Sequence, residues 1–163
     1  MRLVTATSRK PRNKERHGID YYFFSKEEFE KQISDGNIIE YTFVKNRNAY
    51  YGTYKPDLDK KIARGLNVIV NVDIVGAKYY KENYNATTIF IKPGSLEELK
   101  GRLANRDKNI DPEELNKRIK NAENEIEKEM PFYDYVVVNA NGKLKEAVEK
   151  TIAILKKEKY SLQ

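Results

Sequence analysis

The sequence predicts an α/β fold: a mainly parallel core sheet flanked by helices, with a small antiparallel insertion near residues 8–54. Three observations predict it. Short apolar runs of buried-strand type, NVIVNV (Asn67 to Val72), TTIFI (Thr87 to Ile91) and YVVV (Tyr135 to Val138), recur along the chain. Segments of helical periodicity separate them, several opened by a Ser or Asp followed three residues later by Glu. Nearer the start, NIIEYTFV and AYYGT flank a short polar loop, the pattern of an antiparallel pair. The length, 163 residues with 39% apolar and 34% charged, suits one globular domain with a sizeable core.

Leu3 to Thr7 is short and β-like, and Asp20 to Phe24 (DYYFF) is aromatic and strand-like. Ser25-Lys26-Glu27-Glu28 is a capping box that opens a helix, with Gly36 just past its end. Asn37 to Val44 predicts a strand, Lys45 to Asn48 a polar loop and Ala49 to Thr53 the returning strand. Pro56 to Arg64 suits a helix with Pro at its start and Gly65 at its C-terminal cap. Asn67 to Val72, a helix over Ile74 to Glu82 and Thr87 to Ile91 read as a βαβ unit. Ser95-Leu96-Glu97-Glu98 is a second capping box, before Leu96, Leu99 and Leu103 at helical spacing. Asp111-Pro112-Glu113-Glu114 starts another helix, with Leu115, Ile119, Ala122 and Ile126 on one face, so a basic hairpin spans Arg106 to Arg118. After Tyr135 to Val138, Leu144, Val148, Ile152 and Leu155 give a last helix a stripe expected to be core.

Composition narrows the function classes. No apolar run approaches the roughly 20 residues that cross a bilayer, and no signal-peptide pattern opens the chain. Without cysteine there is no disulfide framework, zinc–thiolate site or cysteine nucleophile. A cytoplasmic location is the expectation. The net charge of +6 favours anionic partners, either nucleotides or nucleic acid. Nucleic acid ranks last, because the aromatics lie in strands without a stacking motif. The lone His17 has no second histidine with which to share a metal, and no metal ligands are predicted.

Several side chains have chemistry that a phosphorylated ligand needs. Arg9 and Arg12 flank Pro11 on one loop. Guanidinium forks match pairs of phosphate oxygens, although R-x-x-R also describes a solvated basic loop. Tyr21, Tyr51 and Thr53 bring hydroxyls to the insertion. Glu40 interrupts an apolar strand; its carboxylate accepts two N–H bonds, and guanine presents two adjacent donors where adenine does not. Asp73, at the C-terminal end of a predicted strand, lies where open α/β sheets bind ligands, or caps the following helix. Arg102, Arg106 and Arg118 lie on or beside two helices joined by a polar stretch. They either close over a transferring phosphoryl group or pair with Glu98, Glu113 or Glu114 at the surface.

Taken in order, TSRKPR, HGIDYYFFSKEEF, IIEY, YYGT, VNVDIVGAK, SLEELKGRL and YVVVN resemble the guanylate kinase family, including its guanylate-kinase-like domains, over essentially the whole chain. The resemblance implies a P-loop-kinase-like fold, a single domain over residues 1–163, a GMP-binding region at 8–54 and a lid-like region at 102–118. It implies GMP binding by Thr5, Arg9, Arg12, Tyr21, Glu40, Tyr51, Thr53 and Asp73. Arg9, Arg12, Tyr21 and Tyr51 would hold the phosphate; Glu40 and Thr53 would read guanine, helped by Asp73 and Thr5. By the same resemblance Arg102, Arg106 and Arg118 serve the ATP phosphates as catalytic lid-side arginines, and Asn139 lies on the ATP side. The family reaction is ATP + GMP giving ADP + GDP with magnesium.

The departures from the family pattern are specific. Its P-loop has the form G-x-x-x-x-G-K-[ST], which cradles phosphates and holds magnesium. None of the eight glycines here opens such a motif. The expectation is therefore a chain lacking the N-terminal strand, P-loop and first helix, roughly 30 residues, with neither ATP nor magnesium assured. Asn71 stands where the family usually has Asp, Val75 where Gln is usual and Asp107 where a lid Gly is usual. Two functions follow as expectations: a guanylate kinase whose isolated chain is inactive, or a non-catalytic module that binds GMP or a phosphorylated protein. A protein or second chain that completes the fold is a further possible partner.

Overall fold

The structure is a computed structural model that describes residues 1–161. Its contacts gather into two compact units, Met1–Asn85 and Ala86–Gln163.

In the first unit, strands β1 (Ala6–Thr7), β2 (Tyr22–Phe23), β3 (Ile38–Val44) and β4 (Ala49–Tyr54) form one sheet in the order β2-β1-β4-β3. The β1–β2 pairing is parallel and β1–β4 antiparallel; β3–β4 is antiparallel, as the hairpin pattern predicts. A 3-10 turn at Lys45–Arg47, closed by Asn48 in the left-handed region at φ 46°, joins β3 to β4. Helix α1 (Lys26–Ser34) has the predicted capping box, with the Ser25 side chain on the Glu28 N–H and the Glu28 carboxylate on the Ser25 N–H. Gly36 follows at φ 72°, which only glycine adopts without strain. The core of this unit is Ala6, Phe29 and Ile38, with the rings of Tyr22, Phe24, Tyr50 and Tyr54 packed round it.

Helix α2 (Lys55–Ala63) anchors the start of the chain. Asp57 on this helix is buried, with only 9% exposure. It accepts from the Val4 N–H at 3.0 Å, from the Tyr22 hydroxyl at 3.4 Å and from buried Lys61. Helix α3 (Ile74–Tyr84) follows, capped by Asp73 and burying Gly76, Ala77 and Tyr80.

Asn67 to Val72 departs from the expectation. It makes no strand, only an isolated parallel bridge of Ile69 to Arg2 through Leu3 N–H to Ile69 O at 2.9 Å and Ile69 N–H to Met1 O at 2.8 Å. Ile69 is 58% exposed. Strand propensity is realised only against ladder partners, and here a single short neighbour supplies two bonds.

In the second unit, β5 (Ile89–Pro93) and β6 (Tyr135–Asn139) pair in parallel over five residues. Helices α4 (Leu96–Arg106), α5 (Pro112–Asn124) and α6 (Leu144–Lys157) accompany them. β5 thus finds its ladder partner in β6, not in Asn67 to Val72, and the predicted βαβ unit is not formed. The single mainly parallel sheet is likewise replaced, among the described residues, by one mixed sheet and one parallel pair. The second capping box is half-formed: Ser95 caps the Glu98 N–H, while the Glu98 carboxylate takes the Asn141 N–H at 2.9 Å. The α6 stripe expected as core is largely open, with Leu144 at 65%, Val148 at 47% and Ile152 at 37% exposure.

Asp57→Ala leaves the Lys61 ammonium and the Val4 N–H buried without their acceptor. A loss of about 3–5 kcal/mol is expected, measured as a lowered midpoint in chemical denaturation.

Candidate functional site

The first unit brings the predicted acceptor-side residues onto and around one strand. Tyr51 and Thr53, two residues apart on β4, point to the same face, roughly 7 Å apart along the strand. One end of that face is cationic and the other carries a carboxylate.

At the cationic end, Arg9 lies beside the adjoining rings of Tyr21 and Phe23, at 5.6 and 5.7 Å. Its fork meets Glu15 through Nη1 to Oε2 at 2.9 Å and Nη2 to Oε1 at 3.0 Å. The same Oε2 accepts the Arg12 N–H at 2.6 Å, so one carboxylate organises the whole loop. The bond from Arg9 holds the Glu15 carboxyl below its usual range and raises Arg9 in turn. Arg9 Nε is buried without a hydrogen-bond partner. An unpaired charged donor in a basic pocket fits an anionic ligand. Thr7 sets the loop's departure from β1: its hydroxyl donates to Tyr50 O at 2.8 Å and accepts from the Arg9 N–H at 3.2 Å. The Arg12 side chain is exposed. Tyr51 lies edge-on to Tyr21 at 6.2 Å and receives Arg47 at 3.4 Å. Burial pushes the Tyr51 phenol up, but bonds from Arg47 and Arg9 outweigh it and the net shift is downward.

At the carboxylate end, a bulge explains why simple alternation could not place Glu40. Ile38 pairs with Tyr54 and Tyr41 with Gly52, so Ile39 and Glu40 together oppose Thr53. Glu40 faces that residue, and the Thr53 hydroxyl donates to Glu40 Oε1 at 2.6 Å. Gly52 leaves room for the bulge, since a Cβ there would lie 2.5 Å from the Glu40 carbonyl oxygen. Gly76 does the same from α3, where a Cβ would lie 3.1 Å from Glu40 Oε2. Burial pushes the Glu40 carboxyl up; the Thr53 bond pulls it down, and the Asp73 charge raises it further. Asp73 resolves to a helix cap. Its Oδ1 accepts the N–H groups of Val75 and Gly76 at 3.0 and 3.1 Å, and its Oδ2 the Thr42 hydroxyl at 2.7 Å. Thr5 contributes its carbonyl to the Tyr22 N–H at 2.8 Å.

In the second unit Arg102 is tied to the end of β6, donating from Nη2 to Asn139 O and from Nε to Asn141 Oδ1, both at 2.8 Å. The structure therefore brings Arg102 and Asn139 together. Arg118 pairs with Glu114 at 2.9 Å, and Arg106 is exposed in the last turn of α4. Among the described residues no group of three or more His, Cys, Asp or Glu side chains converges. The donor set that would hold a triphosphate and its magnesium, a glycine-rich loop with Lys and Ser/Thr, does not occur in these 163 residues.

Sequence reasoning passed over Glu15, Arg47, Thr42 and Tyr80. R-x-x-R-x-x-E carries the first as a signal, because a carboxylate three residues beyond two arginines can fold back on both. The others become visible only once β3, β4 and α3 are brought together.

The guanylate kinase family model matches residues 2–158. The guanylate kinase of Clostridium tetani is 43% identical over 157 residues, covering 96% of this chain and 73% of that protein. Guanylate kinase of Bacteroides thetaiotaomicron is 39% identical, with 94% and 74% covered, and that of Fusobacterium nucleatum is 38% identical, with 93% and 80% covered. A crystal structure of guanylate kinase from Anaplasma phagocytophilum superposes with a TM-score of 0.77 at 32% identity, covering 97% of this chain and 75% of that one. The α/β fold is thus that of a nucleotide kinase, and the chain belongs to the guanylate kinase family.

Gly52→Ala forces a methyl against the bulge backbone. A destabilisation of about 1–3 kcal/mol is expected, read as a lower thermal midpoint.

Proposed function

We propose that this chain binds GMP through its first unit, and that it does not transfer a phosphoryl group by itself. The observation that carries this reading is the single β4 face with a cationic pocket at one end and an accept-only carboxylate at the other. Arg9, Arg12, Tyr21 and Tyr51 take the phosphate. Glu40, oriented by Thr53, accepts the N1–H and N2–H of guanine. Adenine turns a lone pair toward the same carboxylate and is repelled. Asp73 and Thr5 serve as a cap and a backbone prop, a smaller role than direct contact with the base.

The whole chain is taken as one guanylate-kinase-like domain, with its GMP-binding region at 8–54 and its lid-like region at 102–118. Arg102, Arg106 and Arg118 would serve ATP phosphates in a complete active site, and Asn139 lies beside Arg102. The reading that a P-loop strand and helix are lacking is supported by the motif's absence from the 163 residues. It is also supported by apolar strand residues left in solvent: Ile91 at 52%, Val136 at 44% and Val138 at 37% exposure. No helix among the described residues is long and apolar enough to cross a membrane; a cytoplasmic location is proposed.

Calorimetry with GMP, AMP and a phosphopeptide tests the binding reading. GMP is expected to bind about 10- to 100-fold more tightly than AMP, and Arg9→Ala to abolish the signal. Binding of the phosphopeptide alone, or of no ligand, overturns the reading.

Glu40 must be ionised to accept both guanine donors. Its pKa is raised by burial, so affinity is expected to fall with falling pH at a higher midpoint than the ~4.3 of a free glutamate. Guanosine run in parallel isolates Glu40, since a phosphomonoester itself titrates near ~6. For stability the sign is opposite. A raised pKa favours the fold at low pH, where the group is protonated, and this is lost as pH rises through the folded pKa. Glu40→Gln is therefore expected to lose GMP without lowering the melting temperature at neutral pH.

A coupled assay with ATP, GMP and magnesium is expected to show no turnover above background, since loss of even one such anion-stabilising donor costs ~10²–10³-fold. Ordinary turnover would refute the second half of the proposal.

A further inference from the structure

We propose that Tyr80 is a positioning residue for base recognition, acting through Thr53 to hold Glu40 as an accept-only, ionised partner for guanine. This rests on the GMP reading above.

Tyr80 lies two helical turns beyond the Asp73 cap, on the face of α3 that also buries Gly76 and Ala77. Only 6% of the residue is exposed, and its hydroxyl lies 2.7 Å from Thr53 Oγ1, itself fully buried. Proton counting fixes the direction of that bond. Thr53 has one hydroxyl proton and gives it to Glu40 Oε1 at 2.6 Å. The proton between Thr53 and Tyr80 must therefore belong to Tyr80. Tyr80 is suited to keep it: burial pushes its phenol far up, the Thr53 bond pulls back only part of the way, and the Glu40 charge adds to the rise.

The result is a one-way relay, Tyr80 to Thr53 to Glu40. Thr53 has no proton left to offer a base, and a donor into its oxygen strengthens its own donation to the carboxylate. Glu40 Oε2, meanwhile, sits against Gly76. The titratable groups acting on Glu40 from the packed elements are Asp73 at the head of α3 and Tyr80 within it. Asp73 disfavours the ionised form, and the relay through Thr53 opposes it. A protonated Glu40 would instead present one carboxylic O–H suited to adenine N1, while its other oxygen goes on accepting from Thr53. Tyr80 therefore bears on discrimination as well as affinity.

The test is a cycle of Tyr80→Phe, Thr53→Val and the double variant, titrated with GMP and AMP by calorimetry across pH. Phenylalanine keeps the ring and removes only the donor. Tyr80→Phe is expected to weaken GMP about five- to tenfold, narrow the GMP-to-AMP ratio and move the acid midpoint of guanosine binding to higher pH. Thr53→Val is expected to move that midpoint the same way, and the double variant to be no worse than Thr53→Val. A role confined to packing would leave the pH midpoint in place. Wild-type affinity and midpoint in Tyr80→Phe, or losses that simply add in the double variant, overturn the inference. Should Tyr80→Phe fail to fold, an unmoved midpoint in Thr53→Val overturns it equally. Failure of the wild-type chain to bind GMP removes the underlying reading and is seen without any variant.

Discussion

One extra residue in β3 shapes most of what the first unit can do. The hairpin register that pairs Tyr41 with Gly52 carries on to set Glu40 opposite Thr53, and the extra residue, Ile39, is taken up before Ile38 pairs with Tyr54. The bulge sets Ile39 and Glu40 together against Thr53, and the carboxylate meets that hydroxyl. The consequences spread outward. Gly52 has to be bare because the Glu40 backbone occupies its side-chain space, and Gly76 has to be bare because Val72 does, with the Glu40 carboxylate close beside it. The head of α3 can then close on β3, its Asp73 cap reaching Thr42 at 2.7 Å. A recognition group, a turn of helix and a strand irregularity are thus one packing solution.

The other end of the same face is built on the opposite principle. There a surplus of positive charge is held in place by Glu15. Two guanidinium bonds and one backbone N–H converge on its carboxylate, leaving Arg9 oriented and its Nε without a partner. The neighbouring rings of Tyr21 and Phe23 add cation–π contacts to the guanidinium. The two ends differ in solvation. Glu15 is stabilised as an anion by its arginine, whereas burial works against ionised Glu40. A phosphate and a purine edge make different demands, and the proposed GMP site on the β4 face would meet each with a different balance of desolvation and pairing.

Local signals were legible in the sequence where a feature is local. The Ser25 capping box, the Gly36 and Gly65 turns and the β3–β4 hairpin depend on residues within a few positions of one another, and each was read correctly. Arg9, Glu40, Tyr51 and Thr53 were recognisable through the order of their motifs, and the structure gathers them. What failed depended on partners distant in the chain. NVIVNV has strand composition, yet strand formation needs a ladder, and Ile69 finds only Arg2. The stripe of α6 has core periodicity, but periodicity states which residues share a face and not what covers them; Leu144 is 65% exposed. Tyr80 was indistinguishable from Tyr79 in the sequence, because only the approach of α3 to β4 selects one of the two hydroxyls.

The distribution of these features bears on how far recognition and transfer are physically coupled. Every group at both ends of the β4 face, with the residues that orient it, lies before Asn85, within one compact unit that has its own aromatic core. The second unit differs in how well it is closed. Its parallel pair buries Val137 to 1% exposure, yet Val136 and Val138, on the opposite face by alternation, stand at 44% and 37%. Parallel strands ordinarily have both faces covered, and two strands make a weak sheet by themselves. A site that depends on the second unit is therefore sensitive to whatever covers that face. One confined to the first unit depends on the bulge, Glu15 and the Asp57 anchor, all of which are in place. On the proposed reading, recognition of GMP by the first unit can survive under conditions in which donor-side chemistry cannot.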